Sequence, residues 1–431
     1  MTHVERKFNL TRCKSASGLL LLMAAAVSSP AETYKVLYTF TGGSDGAFPA
    51  YGGLTVDAEG NLYGATPFGG NVNCPPSPSA SKPGPGCGVV FKFNLATNTE
   101  TVLYTFNGES DGSNPYDGLV RDAQGNLYGT APFGGVNNGG VIYKVDSSGN
   151  QTVLHSFTNT DGANPSAKLY RDPAGNLFGT TVTGGSLGRC RGMGCGVIFV
   201  YSATGEFKVI HNFASLGNQD GANPSHSLIG DGAGNLYGTT ENGGLPSCLT
   251  YGFFEPILTE VGGCGTIFKL DSTGQEMSLH LFNAVPDGSS SRAPLIRDAA
   301  GNFYGTTFAG GLYGAGTVFK LDSTGKETIL YNFRGSTDGA NPWSGLVQDE
   351  AGNLYGTANH AGGPCYCGTV FKLDPQGNYT LLHTFDGSDG QYPGEPLLFY
   401  RGTLYGLASG GGTLNDGSPG TGVIFEVSTT K

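Results

Sequence analysis

Three carboxylates, Asp117, Glu241 and Glu395, stand where repeated segments of this 431-residue chain differ from one another. Positions that repeats share are set by packing, so the positions that vary are free to serve a ligand. Hydrolysis of a glycosidic bond needs two carboxyl groups roughly 5 to 9.5 Å apart, one of them with a raised pKa. A carbohydrate-active hydrolase or lyase that uses these carboxylates is therefore one hypothesis for the function.

The same variable positions also carry aromatic, basic and imidazole side chains, namely Tyr51, Tyr116, His226, Arg292, Trp343 and His360. Aromatic faces beside charged groups suit the stacking and polar recognition of a sugar chain. Trp343, the only tryptophan, should be the main anchor, bordered by Arg292 and Glu395. The favoured hypothesis is a non-catalytic binding or surface-interaction module for a polysaccharide or cell-surface ligand, because no nucleophile–base pair is visible. The alternative is a surface with no ligand at all.

Other titratable residues have a structural interpretation. Four histidines occupy one column of the repeat, which tyrosines fill in the remaining copies: His155, His211, His280 and His383. We expect packing or edge hydrogen bonds there, because residues one repeat apart cannot converge on a metal. Seven Asp-Gly pairs link the repeats and are typical of turns, although a ring of carboxylates could also bind cations. We expect no cofactor and no metal site.

These residues must be positioned by a repeat whose clearest copy is Asp-Glu-Ala-Gly-Asn-Leu-Tyr-Gly-Thr at 349–357. Copies lie at 57–65, 122–130, 172–180, 231–239 and 298–306, with a degraded seventh at 402–406. The sixth copy divides into segments 343–348, 354–358, 369–373 and 379–385, whose alternation and β-branched content predict four strands joined by Asp-x-x-Gly turns. Four antiparallel strands at a period of about 50 residues favour a propeller blade.

The two ends of the array complement each other. Residues 34–40 read as a lone fourth strand, whereas the chain ends after a third-type strand at 423–427. Pairing them would close a ring and remove exposed strand edges. We therefore predict an all-β, seven-bladed β-propeller of four-stranded antiparallel blades. The predicted blades are 49–106, 115–157, 165–213, 224–282, 291–333, 342–385 and 393–427, the last completed by 34–40.

The motifs Gly-Asn-Leu-Tyr-Gly-Thr-Thr, Gly-Thr-Val-Phe-Lys-Leu-Asp and Asp-Gly-x-x-Pro resemble the GloVer tandem repeats of bacterial surface and secreted proteins. The resemblance covers residues 34 to 427 and implies no established activity, and a weaker similarity to kelch repeats implies only the fold. Blade seven departs from the pattern with Tyr400-Arg401-Gly402-Thr403 in place of Asp-x-x-Gly-Asn. No sorting tail is visible before Lys431, so we expect a freely secreted product.

Eight cysteines follow the N-terminal segment, and all lie between the second and third strands of a repeat. The second member of each couple directly precedes the glycine that opens strand three, so the register selects Cys74 with Cys87, Cys190 with Cys195, Cys248 with Cys264, and Cys365 with Cys367. Each couple should be a disulfide that staples a surface loop. Cys365–Cys367 encloses only one residue and would form a strained small ring.

Residues 1–31 have the basic start, short apolar run and small-residue cleavage site of a secretory signal peptide. No apolar run reaches the roughly 18 residues of a membrane span. Removing residues 1–31 takes away four basic residues and Glu5, which changes the net charge from −11 to −14. Such a charge repels phosphate backbones and anionic lipids, so we expect no nucleic-acid partner and no membrane insertion. The expected product is a secreted monomer, extracellular or periplasmic, with residues 32–431 forming the propeller.

Overall fold

A computed structural model describes residues 34–49, 53–71, 74, 86–186, 190–214, 219–245, 248 and 263–429. These residues form seven four-stranded antiparallel sheets, arranged as the blades of a β-propeller. The predicted fold class is therefore confirmed. The predicted signal peptide lies outside the described residues, and among those residues no helix is long and apolar enough to cross a bilayer.

Each of the first six blades is continuous in sequence. Blade one comprises β2 (Thr55–Val56), β3 (Asn61–Thr66), β4 (Val89–Asn94) and β5 (Thr99–Thr105), and blade two comprises β6 (Val120–Arg121), β7 (Leu127–Ala131), β8 (Val141–Val145) and β9 (Gln151–Ser156). Blade three comprises β10 (Tyr170–Arg171), β11 (Leu177–Thr181), β12 (Val197–Tyr201) and β13 (Phe207–Asn212), and blade four comprises β14 (Ile229–Gly230), β15 (Leu236–Thr240), β16 (Thr266–Leu270) and β17 (Glu276–Leu281). Blade five comprises β18 (Ile296–Arg297), β19 (Phe303–Thr307), β20 (Thr317–Leu321) and β21 (Glu327–Asn332), and blade six comprises β22 (Val347–Gln348), β23 (Leu354–Ala358), β24 (Thr369–Leu373) and β25 (Tyr379–Thr384). A short 3-10 helix, Cys190–Gly192, precedes β12.

Blade seven closes the ring. It consists of β26 (Leu398–Tyr400), β27 (Thr403–Ala408), β28 (Val423–Ser428) and the N-terminal strand β1 (Tyr34–Thr39). Strand β1 pairs antiparallel with β28, from Tyr34 opposite Val427 to Thr39 opposite Val423. The predicted closure is therefore confirmed. The atypical turn of this blade is tight, because Arg401 and Gly402 both have positive φ angles of 51° and 81°, as a two-residue type I′ hairpin requires.

One hydrogen-bonded turn explains the Asp-x-x-Gly-Asn-Leu-Tyr pattern that recurs along the chain. In blade six, Asp349 Oδ1 accepts from the backbone N–H groups of Ala351 (3.0 Å) and Asn353 (2.8 Å). Asp349 Oδ2 accepts from Asn353 Nδ2 (2.7 Å) and from the hydroxyl of Tyr355 (3.0 Å). Gly352 supplies the positive φ of 84° that the turn needs. The turn thus uses the aspartate, glycine, asparagine and tyrosine of the motif together.

The glycine after the tyrosine serves the core. A Cβ on Gly356 would lie 2.7 Å from Cζ of Phe371 in the neighbouring strand β24, so only glycine lets the ring lie over strand β23. Phe371 packs in a cluster that joins Val318 and Phe333 of blade five to Leu346 and other residues of blade six. The core therefore lies between blades, and each blade needs its neighbours to bury its faces.

The first strand of each complete repeat is shorter than predicted. In blade six only Val347–Gln348 pairs as a strand, whereas 343–348 was expected. Ser344 Oγ instead accepts from the backbone N–H of Thr357 (3.2 Å) and from its hydroxyl (2.8 Å). Side-chain hydrogen bonds thus replace the strand ladder in the segment that leads into strand one.

All four predicted disulfides are present, Cys74–Cys87, Cys190–Cys195, Cys248–Cys264 and Cys365–Cys367, with Cα–Cα distances of 5.2 to 5.4 Å. The carbonyl of the second cysteine accepts a hydrogen bond from the link to the next blade, as in Asn114 N to Cys87 O and Ser290 N to Cys264 O, both 2.8 Å. The disulfide loops and the inter-blade links therefore share one face of the ring.

Candidate functional site

The segment before each first strand contacts the neighbouring blade. The hydroxyl of a threonine in strand two donates to a backbone carbonyl of this segment in the next blade, as Thr306 does to Ser344 O at 3.0 Å. Similar bonds of 3.3 Å run from Thr130 to Ala167 and from Thr239 to Ala293. These carbonyls belong to the second of two adjacent positions that vary among blades, so the repeat fixes the backbone there and leaves the side chain free to differ.

The variable positions of blades four, five and six meet in one group, which we call the Trp343 cluster: Ser225, His226, Glu241, Arg292, Phe308 and Trp343. The guanidinium of Arg292 lies 4.8 Å from the Trp343 ring centroid and 4.5 Å from that of Phe308. The two rings meet edge to face at 5.1 Å. Arg292 Nε is 3.4 Å from Glu241 Oε2. The structure therefore places Arg292 beside the indole, as the sequence predicted.

The side chains of Arg292 and Glu241 remain 27% and 24% exposed, and Trp343 is half-buried. A cation held against two aromatic faces while partly open to water is attracted by their ring quadrupoles. The cluster thus offers a ligand an aromatic surface, a guanidinium and a carboxylate in one place, which is the combination of groups expected in a site for a polar ligand.

Ser225 and His226 form a hydroxyl–imidazole contact within this cluster. Ser225 Oγ lies 2.7 Å from His226 Nδ1 and donates to Glu241 Oε1 at 2.7 Å. Burial, together with the positive charge of Arg292, lowers the pKa of His226 to about 3. A general base works best with a pKa near the operating pH, so the lowered pKa of His226 disfavours a role as the base for Ser225. The pair orders the polar side of the cluster instead.

The other two predicted carboxylates lie in a second group, the buried acid cluster: Asp117, Tyr143, Lys168 and Glu395. Asp117 and Glu395 are only 7% and 1% exposed. Glu395 Oε2 accepts from the backbone N–H of Gly53 at 2.8 Å, across the joint between blades seven and one. Glu395 therefore has its contacts here, whereas Glu241 has its contacts in the Trp343 cluster.

The charges of the buried acid cluster act on one another. Burial, followed by the negative charge of Asp117, raises the pKa of Glu395 well above its usual value, against the opposing effects of Gly53 and Lys168. Burial likewise raises the pKa of Asp117, with Lys168 again opposing. Burial lowers the pKa of Lys168, although both carboxylates oppose that shift. Each group is therefore biased towards its neutral form.

Sequence reasoning missed Lys168 and Tyr143. Tyr143 stands at the strand-three position that is phenylalanine in the other six blades. Neither its hydroxyl nor Glu395 Oε1 has a hydrogen-bond partner among the described residues. Lys168 follows Ala167 in a column that otherwise holds glycine, serine and proline. In both cases one blade has an unusual residue at a position where the other blades are alike. That difference could have indicated both residues from the sequence.

Three predicted ligand-binding residues remain, and Tyr51 lies outside the described residues. Tyr116 is half-buried and meets Phe68 edge to face at 6.3 Å. His360 is half-buried and lies 5.7 Å from the Tyr392 ring, and burial lowers its pKa. Their role in binding a ligand stays a prediction.

At the outer edge of the ring, each histidine or tyrosine of one repeat position contacts the aspartate of the Asp-Gly pair that follows it. We call these contacts the rim pairs. Within a blade and its outgoing link, the imidazole Nε2 lies 2.8 to 3.0 Å from the aspartate in four pairs: His155–Asp161, His211–Asp220, His280–Asp287 and His383–Asp389. A tyrosine hydroxyl replaces the imidazole in the other three: Tyr38–Asp45, Tyr104–Asp111 and Tyr331–Asp338. Each aspartate also accepts from a backbone N–H in its turn, as Asp338 does from Arg334 at 2.9 Å. The histidines therefore make edge hydrogen bonds, and the aspartates cap turns.

Comparison with known proteins gives a family and a fold. The Gloeobacter/Verrucomicrobia repeat family matches residues 79–252 and 248–431. No curated protein matches the sequence. A fungal alcohol oxidase solved in complex with copper superposes with a TM-score of 0.56 at 15% identity, covering 92% of this chain and 76% of that one. The oligogalacturonate lyase of Vibrio parahaemolyticus gives 0.55 at 12% identity, covering 94% and 95%. An oligogalacturonate lyase in complex with manganese gives 0.50 at 11%, covering 80% and 83%. Identities this low show a shared fold alone.

Proposed function

This chain belongs to the Gloeobacter/Verrucomicrobia repeat family, and from that premise we propose that it is a secreted, non-catalytic module that binds a polar ligand of the oligosaccharide type at the Trp343 cluster. The observation that carries the proposal is the packing of Arg292 against Trp343 and Phe308, with Glu241 at its other side. Sugars present apolar faces and hydroxyl groups together, so stacking rings beside charged groups match both features.

Secretion is supported by two features of the chain. Residues 1–31 have the pattern of a signal peptide. The eight cysteines of the remaining chain pair as four disulfides, which persist in oxidising compartments.

The second candidate is a carbohydrate-active hydrolase or lyase that uses Asp117 and Glu395. Its support is the raised pKa of both carboxyl groups, because a general acid must keep its proton near neutral pH. Their burial argues against it, since a substrate must reach the acid. Glu241, the third carboxylate of this hypothesis, has Arg292 and Ser225 as its partners, in the other cluster.

A polysaccharide array probed with the purified protein tests both candidates, with released reducing ends assayed on every glycan that binds. Binding without release of reducing ends is the expected result. Release of reducing ends that disappears in Glu395→Gln would establish the enzyme instead. Absence of binding to any glycan would overturn the oligosaccharide proposal.

A further inference from the structure

The rim pairs are covered by residues from the next blade. The first part of each outer strand reaches back over the preceding His–Asp or Tyr–Asp pair. Phe207 stacks on His155 and Tyr34 on His383, both with ring centroids 3.6 Å apart. Tyr379 stacks on Tyr331 at 4.5 Å. An aromatic ring therefore covers these three pairs.

At the joint between blades four and five the covering residue is an acid. Glu327 Oε2 lies 3.6 Å from His280 Nε2, and Asp287 Oδ2 lies 3.0 Å from the same nitrogen. One ligand atom from each of the three residues lies within 4.8 Å of the others. Four-coordinate Zn²⁺ with bonds of about 2.1 Å has ligand atoms about 3.4 Å apart, so the distances suit a small transition-metal ion.

Hydrogen bonding alone leaves this site incompletely satisfied. A neutral His280 can donate only one proton from Nε2, yet two carboxylate oxygens face that nitrogen. The side chains of His280, Asp287 and Glu327 are only 17%, 6% and 11% exposed. Glu327 Oε1 has no hydrogen-bond partner among the described residues. Two largely buried carboxylates beside a neutral imidazole are costly, and a bound dication would neutralise both.

We propose that His280 Nε2, Asp287 Oδ2 and Glu327 Oε2 bind a first-row divalent cation of the Zn²⁺ type, which joins blades four and five at the outer edge of the ring. The imidazole would coordinate through Nε2 with its proton on Nδ1. An imidazole with two carboxylates is a normal zinc ligand set, whereas Ca²⁺ takes six to eight oxygen ligands. Glu327 is the only ligand that comes from blade five, so the ion links two blades.

The joint between blades three and four is a natural comparison, because it has the same residue types in His211, Asp220 and Glu276. There Glu276 lies beside the carboxylate of Asp220, and the Ser278 hydroxyl donates to the backbone carbonyl of Gln219. Among the described residues, only the group of His280, Asp287 and Glu327 brings one ligand atom from each of three such residues within 4.8 Å of one another. We therefore expect the ion at the joint between blades four and five alone.

Calorimetric titration of tag-free, chelator-treated protein with Zn²⁺, and in parallel with Ca²⁺, tests the site. One Zn²⁺ should bind and Ca²⁺ should not. Zn²⁺ at about 100 times its dissociation constant should raise the melting temperature by about 3 °C, and a chelator should reverse the rise. Failure of the wild-type protein to bind Zn²⁺ would overturn the proposal.

Two substitutions replace a proposed ligand with the residue that another blade has at the same position of the repeat. His280→Tyr recreates the tyrosine of Tyr331–Asp338, and Glu327→Tyr recreates the cover that Tyr34 gives His383. Both should lose Zn²⁺ binding, and Glu327→Gln, which keeps the shape of the side chain, should weaken it at least tenfold. The matched controls His155→Tyr and His211→Tyr should bind Zn²⁺ like the wild type. Retained binding in the folded His280 and Glu327 variants, or its loss in His211→Tyr, would place the ion elsewhere.

Discussion

The hydroxyl of Tyr34 donates a 2.7 Å hydrogen bond to the carbonyl of Asp389, 355 positions away in sequence. The Tyr34 ring also lies parallel to the imidazole of His383, with an interplanar angle of 4°. Strand β1 therefore completes blade seven through its backbone and contacts blade six through its first side chain. The closure of the ring consists of a strand pairing and a blade–blade contact together.

We predict that deleting Tyr34–Phe40 lowers the melting temperature far more than deleting seven residues between Cys74 and Cys87. The first deletion removes the outer strand of blade seven and exposes the edge of β28, so the ring loses its closure. Thermal unfolding followed by circular dichroism compares the two proteins. Equal losses would mean that closure by β1 contributes little to stability.

We predict that Tyr34→Phe destabilises the protein by about 1 kcal/mol, because it keeps the stacking on His383 and removes one hydrogen bond. Tyr379→Phe is the matched control, since Tyr379 donates an equivalent 2.7 Å bond to Asp338 O between blades that are adjacent in sequence. Urea unfolding should give similar losses for both variants. A much smaller loss for Tyr34→Phe would indicate that the closing contact is weaker than the others.

We predict that Trp343→Ala weakens binding of a glycan found by the array about tenfold or more while leaving the fold intact. Loss of a central aromatic anchor costs roughly 2 kcal/mol. Tyr313→Ala, which removes a 53% exposed aromatic outside the cluster, serves as the control and should leave affinity unchanged. Calorimetry measures both. Unchanged affinity in a folded Trp343→Ala protein would move the site, and the loop around Cys248 and Cys264 would be the next candidate.

We predict that Glu395→Gln raises the melting temperature relative to wild type, and that the gain is larger at pH 8 than at pH 4. The pKa of Glu395 is raised in the folded state, so its contribution to stability is fully present below the unfolded pKa and is lost as pH rises through the folded pKa. Glutamine removes the charge and can still accept from Gly53. Melting temperatures across this pH range, with exposed Glu59→Gln as control, test the prediction. A gain that does not depend on pH would show that the pKa of Glu395 is the same in the folded and the unfolded protein.

The sequence was sufficient for the fold because local signals agreed with one another. The Asp349 turn uses the residues that recur in the motif, and the ring of Phe371 requires glycine at position 356. The recurring motif was therefore enough to predict the blades. The disulfides followed in the same way, since the repeat register brought each pair of cysteines into one loop.

The candidate sites were harder to predict from the sequence, because they depend on contacts between blades. The packing of Arg292 against Trp343 was foreseen because the two residues occupy the same variable position in neighbouring blades. The approach of Lys168 to Asp117 and Glu395 joins three blades, two of which are far apart in sequence. From the sequence, His280 was assigned to packing or edge hydrogen bonding and Asp287 to a turn, because no sequence period reveals that the two residues meet.

Each rim pair is covered by a residue of the following blade. A duplicated segment of sequence therefore does not carry a complete set of these contacts with it. A gene duplication copies a whole blade, whereas a rim contact takes its pair from one blade and its cover from the next. A second copy of blade two, inserted after the first, would bring Gln151 over His155, where Phe207 now stacks. Any change in blade number therefore creates one contact that the ancestor never had. The number of blades in such a ring can change only where that single new junction is tolerated.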